Sequence, residues 1–201
     1  MANSPVEICN LAISWLGGKQ IISLDDGTTE ANLCKANYDL GRRAVLEERD
    51  WTFATRREQL TPLAELPKFG YSYKFALPPD FIRAIGVYNP DYSNSDNPIT
   101  TNYVIEDNYL LANISNIDIK YIFNQIVTNR FSPLFDQTLA AYLGFLISIP
   151  LTQEKTQQER LFNIYNSLLD DASASNGLQG KREMINISES ENARRLFVSP
   201  S

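Results

Sequence analysis

Apolar positions recur along this chain with two different periods, and the switches between them divide it. Ser4-Pro5-Val6-Glu7 opens a helical pattern: Ser4 stands as N-cap, Pro5 takes the first helical position and Glu7 closes a capping box. Val6, Cys9, Ile13 and Leu16 form its apolar stripe, and Gly17-Gly18 stops it. After the turn signal Asp25-Asp26-Gly27, Thr28 or Thr29 caps a second helix that runs to about Arg49. At roughly 20 residues it spans roughly 30 Å. Its apolar stripe reads Leu33, Asn37, Leu40, Ala44 and Val45, widened by Cys34, Tyr38 and Gly41. Glu30, Lys35, Asp39, Arg42, Arg43 and Glu47 mix both signs of charge on the other face, the pattern of a solvated or inter-subunit surface. Trp51 and Phe53 follow as core anchors, and Pro62 and Pro67 bracket a crossing segment.

The period then falls to two. Phe69, Tyr71, Tyr73, Phe75 and Leu77 alternate with Gly70, Ser72, Lys74 and Ala76, and Arg83 to Tyr88 makes a second strand. An irregular loop from Asn89 to Pro98 leads to Ile99, Thr101, Tyr103 and Ile105, a turn at Glu106-Asp107-Asn108, a return strand Tyr109 to Ala112, and a last strand through Ile117, Ile119, Tyr121 and Phe123. These strands predict a small antiparallel sheet or sandwich. The helical period resumes at Ser132-Pro133 with Phe135, Leu139, Tyr142, Leu143, Leu146 and Ile147, and Pro150 is its expected end. Thr152 then caps a fourth helix carrying Leu161, Ile164, Tyr165, Leu168 and Ala172, and the small polar stretch Ser173 to Gly180 reads as its exit. The expected fold is α+β: an antiparallel bundle of four main helices, its halves at residues 1–66 and 131–177, with a small antiparallel β domain inserted at 67–130 and an extended C-terminal tail at 178–201.

Composition narrows the function more than it names it. A hydrophobic share of 43% over 201 residues is enough for one large core. The longest apolar run, Leu139 to Leu151, is broken by Tyr142, Gly144 and Ser148 and falls short of the roughly 20 residues of a membrane span, so no membrane partner is expected. The first residues carry no basic region ahead of an apolar one, which points away from a signal peptide. With 18 basic and 24 acidic residues the net charge is −6, unlike a dedicated nucleic-acid binder but compatible with a wall that DNA passes without sticking. The absence of histidine removes Ser-His-Asp and Cys-His catalysis and His-ligated metals. Cys9 and Cys34 are too few for a zinc site and read as core thiols that a packing of the two helices could bring together.

Carboxylates are then the remaining catalytic candidates. Glu106-Asp107 and Asp170-Asp171 are adjacent pairs whose members point in different directions, whereas a glycosidase needs two carboxyl groups facing across a cleft. Gly17-Gly18-Lys19 lacks the spacing and preceding strand of a P-loop, and Asp25-Asp26-Gly27 lacks the ligand series of an EF-hand. The doublets Arg42-Arg43, Arg56-Arg57, Lys181-Arg182 and Arg194-Arg195 are dispersed among acids. No catalytic, cofactor-binding or metal-ligating residue is assigned, and the expectation is a protein that is not an enzyme.

A series of short segments carries a resemblance. Leu16-Gly17-Gly18 precedes Ile22-Ser23-Leu24-Asp25-Asp26, then come Ala31 to Cys34, Tyr38 and Leu46. Trp51-Thr52-Phe53-Ala54, Tyr73-Lys74-Phe75-Ala76-Leu77-Pro78-Pro79-Asp80 and Ile82-Arg83 follow. Tyr103-Val104-Ile105-Glu106, Tyr121-Ile122 and Phe135 to Leu146 complete the series. In that order and spacing, roughly residues 5–175 resemble the tail tubular adaptor (head-to-tail connector) proteins of short-tailed bacteriophages, while the segment after Gly180 does not align. The resemblance implies a helical bundle with a β insertion, assembled as a dodecameric ring between the portal protein and the tail nozzle protein. It implies no cofactor, DNA passing through the channel without specific binding, and a place in the virion tail after assembly in the host cytoplasm. The rival expectation is a tail-associated cell-wall or polysaccharide hydrolase.

Three contact regions follow within that frame. Arg42, Arg43 and Glu47 on the second helix are assigned to contacts between subunits. Asp91 and Asp96 in the irregular loop and Glu106 and Asp107 at the hairpin tip are assigned to the nozzle. In the tail, Ser188-Glu189-Ser190-Glu191 makes a capping-box signature ahead of a segment too short to be a stable helix alone. Similar adaptors reach the portal with such extensions. Arg194, Arg195, Leu196, Phe197 and Val198 are therefore assigned to the portal, the arginines to acidic groups and the apolar residues as anchor.

Overall fold

The computed structural model describes residues 4–90 and 103–180, with side chains described as far as residue 172. Four α-helices and six strands occur among the described residues. They are α1 (Pro5–Trp15), α2 (Thr29–Glu48), β1 (Thr55–Leu60), β2 (Tyr73–Ala76), β3 (Phe81–Tyr88), β4 (Tyr103–Glu106), β5 (Tyr109–Ala112), β6 (Ile117–Phe123), α3 (Pro133–Thr152) and α4 (Lys155–Gly180). The helix starts obey their capping signals. Ser4, Thr28 and Ser132 side chains accept from the backbone N–H of Glu7, Ala31 and Phe135, with proline in the first turn of α1 and α3. At the other end of α1, Gly17 takes φ +71° and the Gly18 N–H returns 3.1 Å to the Ile13 carbonyl, a Schellman-type stop.

The expected four-helix bundle with an inserted β domain does not form. There are two three-stranded antiparallel sheets, ordered β1-β6-β3 and β2-β5-β4, and the first is part of the wall of the helical core. Helices α1, α2 and α4 each pack on α3. The core they enclose is completed by Ile122 of β6, with Ile82 and Ile85 of β3 packed against it. The opposite face of the same sheet, through Leu60, Val87, Ile117, Ile119 and Tyr121, packs with Phe75, Leu110 and Ala112 of the second sheet. One sheet therefore serves two cores. β1 also lies at 55–60, upstream of the 67–130 limits expected for the β region, where it pairs antiparallel with β6 from Thr55↔Ile122 to Leu60↔Ile117.

The local departures have identifiable causes. Register shifts in β3 between Phe81 and Arg83 and between Ala84 and Gly86 break strict alternation. As a result Ile82 and Ile85 face the helices while Phe81, Ala84 and Val87 face the second sheet, at steps of three. The strand expected from Phe69 is confined to Tyr73–Ala76, and Phe69 is 87% exposed. α3 continues through Pro150 to Thr152. Proline there removes only one bond of the last turn, and the neighbouring carbonyls are met by Thr152 Oγ1 on the Ser148 oxygen (2.8 Å) and Gln153 N–H on the Ile149 oxygen (2.9 Å). Gln153 turns the chain at φ +60°, so Thr152 ends α3 instead of capping α4. α4 itself runs on to Gly180, through the stretch expected as an exit. By length and apolarity α3 resembles a membrane span, but 56% of its apolar window is buried inside this fold, the situation of a core helix.

Candidate interaction surfaces

Helix α2 presents two unlike faces. Its buried face is Ala31, Cys34, Gly41, Arg42, Val45 and Leu46, rotated from the expected stripe, and Leu40 is 65% exposed. Gly41 allows the close approach to α3, since a Cβ there would lie 3.1 Å from Leu143 Cδ2. Arg42 is the exception in chemistry. Its Nη1 donates to Asn124 Oδ1 and to the Gln125 carbonyl, both at 2.6 Å, and its Nη2 donates to Asp39. With 3% of its surface exposed it ties α2 to the segment after β6. It is thus not on the open charged face, which corrects its assignment to a subunit contact. Arg43 and Glu47, assigned with it, are exposed.

The C-terminal end of α2 is clamped by the residues that follow it. Trp51 is buried, donates from Nε1 to the Val45 carbonyl at 2.8 Å, and meets Phe135 edge-on with ring centres 4.9 Å apart. Phe53 lies 5.6 Å from Phe131 and 5.0 Å from Phe135. The Arg83 guanidinium donates to the Glu47 carbonyl at 2.8 Å and pairs with Asp50, so a cation completes the helix C-terminus. Asp80 receives Arg56 and stands 3.1 Å from the Tyr121 hydroxyl, which is equally close to Glu58. Burial pushes the Tyr121 phenol up. The Pro78-Pro79-Asp80-Phe81-Ile82-Arg83 segment is therefore a brace between α2 and both outer strands of its sheet.

The candidate chemistry of the sequence is absorbed by structure in the same way. Asp26 Oδ2 accepts from the N–H groups of Ile22 (2.7 Å) and Ser23 (3.0 Å), and Asp25 pairs with Lys35 at 2.7 Å. Cys9 and Cys34 are free, fully buried thiols on α1 and α2. They contact each other, and the hydrogen bond from Cys34 together with burial pushes the Cys9 thiol up. Asp170 and Asp171 are exposed, with Asp170 3.8 Å from Arg49. No group of three His, Cys, Asp or Glu side chains that could hold a metal ion occurs among the described residues.

The β4–β5 hairpin turns through Asp107 (φ +46°) and Asn108 (φ +63°), the two-residue turn with both central residues left-handed. This leaves Glu106 and Asp107 exposed at a tip. Beside it a surface cleft of about 350 Å³ is lined by Glu65, Leu66, Phe69, Tyr71, Tyr109 and Leu111 among others. Lys74 in this cleft is occupied: it lies 3.3 Å from Glu65 and 4.0 Å over the Tyr109 ring. Asp91, Asp96, Arg194, Arg195, Leu196, Phe197 and Val198 lie outside the described residues.

The outward faces of α2 and α4 are the surfaces sequence reasoning reached only in part. The outer residues of α4, Lys155, Glu159, Phe162 and Asn166, are exposed, and Phe162 at 44% belongs to an aromatic group with Tyr142, Phe145 and Tyr165. The signal that could have found it is Phe162 itself, which falls off the apolar stripe of Leu161, Ile164, Tyr165 and Leu168. No protein-family model matches the chain, and no curated protein matches it.

Proposed function

We propose that this protein is a structural ring subunit of a viral tail, a head-to-tail adaptor that joins portal to nozzle around the channel through which DNA leaves. The observation that carries the reading is α2: 20 residues long, buried along one side, and exposing Leu40, Arg43 and Glu47 along the other. A rigid helix with an apolar residue among charges of both signs suits repeated heterologous contact between copies. The order of short segments described above supplies the particular class. In this reading the protein is not an enzyme and uses no cofactor. Its copies, twelve in the resembling family, close a ring. The exposed Glu106–Asp107 tip and the segment containing Asp91 and Asp96 face the nozzle, and residues 194–198 dock on the portal.

Negative-stain imaging of the concentrated, purified full chain tests it. Closed rings with a central opening are expected, and particles no larger than a monomer at every concentration contradict it. Deleting residues 181–201 is expected to leave the ring and abolish portal attachment.

A further inference from the structure

Both α2 and α4 pack on α3, and each turns a broad face to solvent that includes one stripe of matching spacing. On α2 that stripe is Ala36, Leu40, Arg43 and Glu47, all exposed, at steps of four, three and four. On α4 it is Lys155, Glu159, Phe162 and Asn166, all exposed, at the same steps. This is the spacing of one helix face and of a helix–helix seam. Each stripe holds one large apolar side chain among polar ones, Leu40 at 65% exposure and Phe162 at 44%.

We infer that the outer stripe of α2 in one copy of this chain docks antiparallel on the outer stripe of α4 in a second copy, with Leu40 against Phe162. In that register the remaining positions match: Arg43 meets Glu159, Glu47 meets Lys155, and small Ala36 gives room to Asn166. The parallel alternative sets Leu40 against Glu159 and Arg43 against Phe162, burying a charge against an apolar group at both central positions. The antiparallel pairing also brings the acidic C-terminal end of α2 to the N-terminal end of α4, where Lys155 sits unfavourably in the first turn. Arg43, Glu47, Lys155 and Glu159 make no ion pair among the described residues, so each is available to a partner. By contrast Arg42, Arg49, Arg56 and Arg83 are held within the chain.

The two stripes are different surfaces, so the contact is heterologous: every copy offers α2 to one neighbour and α4 to another. The inference rests on the ring reading for closure and copy number, and not for the pairing itself. Full-length Leu40→Cys and Phe162→Cys proteins, mixed under mild oxidation, are expected to give a mixed disulfide well above the homodimers either gives alone. Arg43→Glu and Glu159→Arg are each expected to weaken self-association tenfold or more in sedimentation velocity, and the two combined to recover it to within threefold. Both positions are exposed, and circular dichroism checks that the variants stay folded. A mixture that cross-links no better than its components, or a double variant as weak as the singles, overturns the pairing. Rescue with open chains in place of rings keeps the pairing and refutes the ring. Rings without rescue keep the ring and refute the pairing.

Discussion

The two sides of α2 follow opposite plans. On the inner side even a full charge is enclosed: Arg42 is spent on Asn124, on the Gln125 carbonyl and on Asp39. On the outer side an apolar residue, Leu40, stands in water beside Arg43 and Glu47, which make no ion pair among the described residues. A helix built only to fold would carry these groups the other way round. Sign of charge and hydropathy therefore do not by themselves tell which side folds the chain and which side is left for a partner. Adjacent residues Arg42 and Arg43 belong to different tasks.

The largest effect is expected at the buried charge. Arg42→Glu places a carboxylate beside Asp39 and the Gln125 carbonyl, and a loss of roughly 3–5 kcal/mol in urea unfolding is expected, as for breaking a buried pair. A loss below about 1 kcal/mol, the range of exposed ion pairs, would show that Arg42 is solvated and erase the contrast.

Next in size is Ile122→Ala. Because Ile122 closes the helical core from the sheet side, it is expected to cost about 3 kcal/mol. The helical far-ultraviolet signal and the hydrogen-exchange protection of the β5 and β6 amides should be lost in one transition. Two separate transitions would instead restore a bundle with an independent β insertion.

Tyr38, also facing inward, gives a smaller effect of opposite sign. Its hydroxyl is buried without a hydrogen-bond partner among the described residues, so Tyr38→Phe is expected to raise stability by about 1 kcal/mol. Burial pushes the Tyr38 phenol up, so the folded chain keeps a proton that the unfolded chain loses near the ordinary value of about 10. That contribution is whole below about pH 10 and is lost as pH rises toward the folded value. Thermal melts from pH 9 to 11 should show a shallower alkaline decline in Tyr38→Phe. An unchanged slope would place the hydroxyl in water. Tyr121 and Tyr165, also pushed up by burial, and Cys9, pushed up by its hydrogen bond with Cys34 and by burial, add to the decline that remains.

What could be read from the sequence was whatever is decided within a few residues. The caps at Ser4, Thr28 and Ser132, the Gly17-Gly18 stop and the Asp107-Asn108 turn each depend on neighbours no more than five positions away. Trp51 was legible as an anchor from its size and place. The fate of Arg42 was not, because its partners lie 82 and 83 residues further on. β1 escaped for the same reason: Thr55-Arg56-Arg57-Glu58-Gln59-Leu60 has no alternating pattern and is a strand only because β6 pairs with it. The two shifts in β3 changed its period from two to three, and with it which face met the helices. Of the candidate surfaces, the charges of α2 were visible and their division between two faces was not. The matching stripe on α4 needed exposure to be known.

The most direct measurement of the division across α2 is Arg43→Glu, followed in one preparation by thermal melting and by sedimentation velocity. The account predicts a stability within about 0.5 kcal/mol of the parent, as for an exposed site away from any structural feature, together with loss of self-association. A melting loss as large as that of Arg42→Glu, or undiminished self-association, would contradict it.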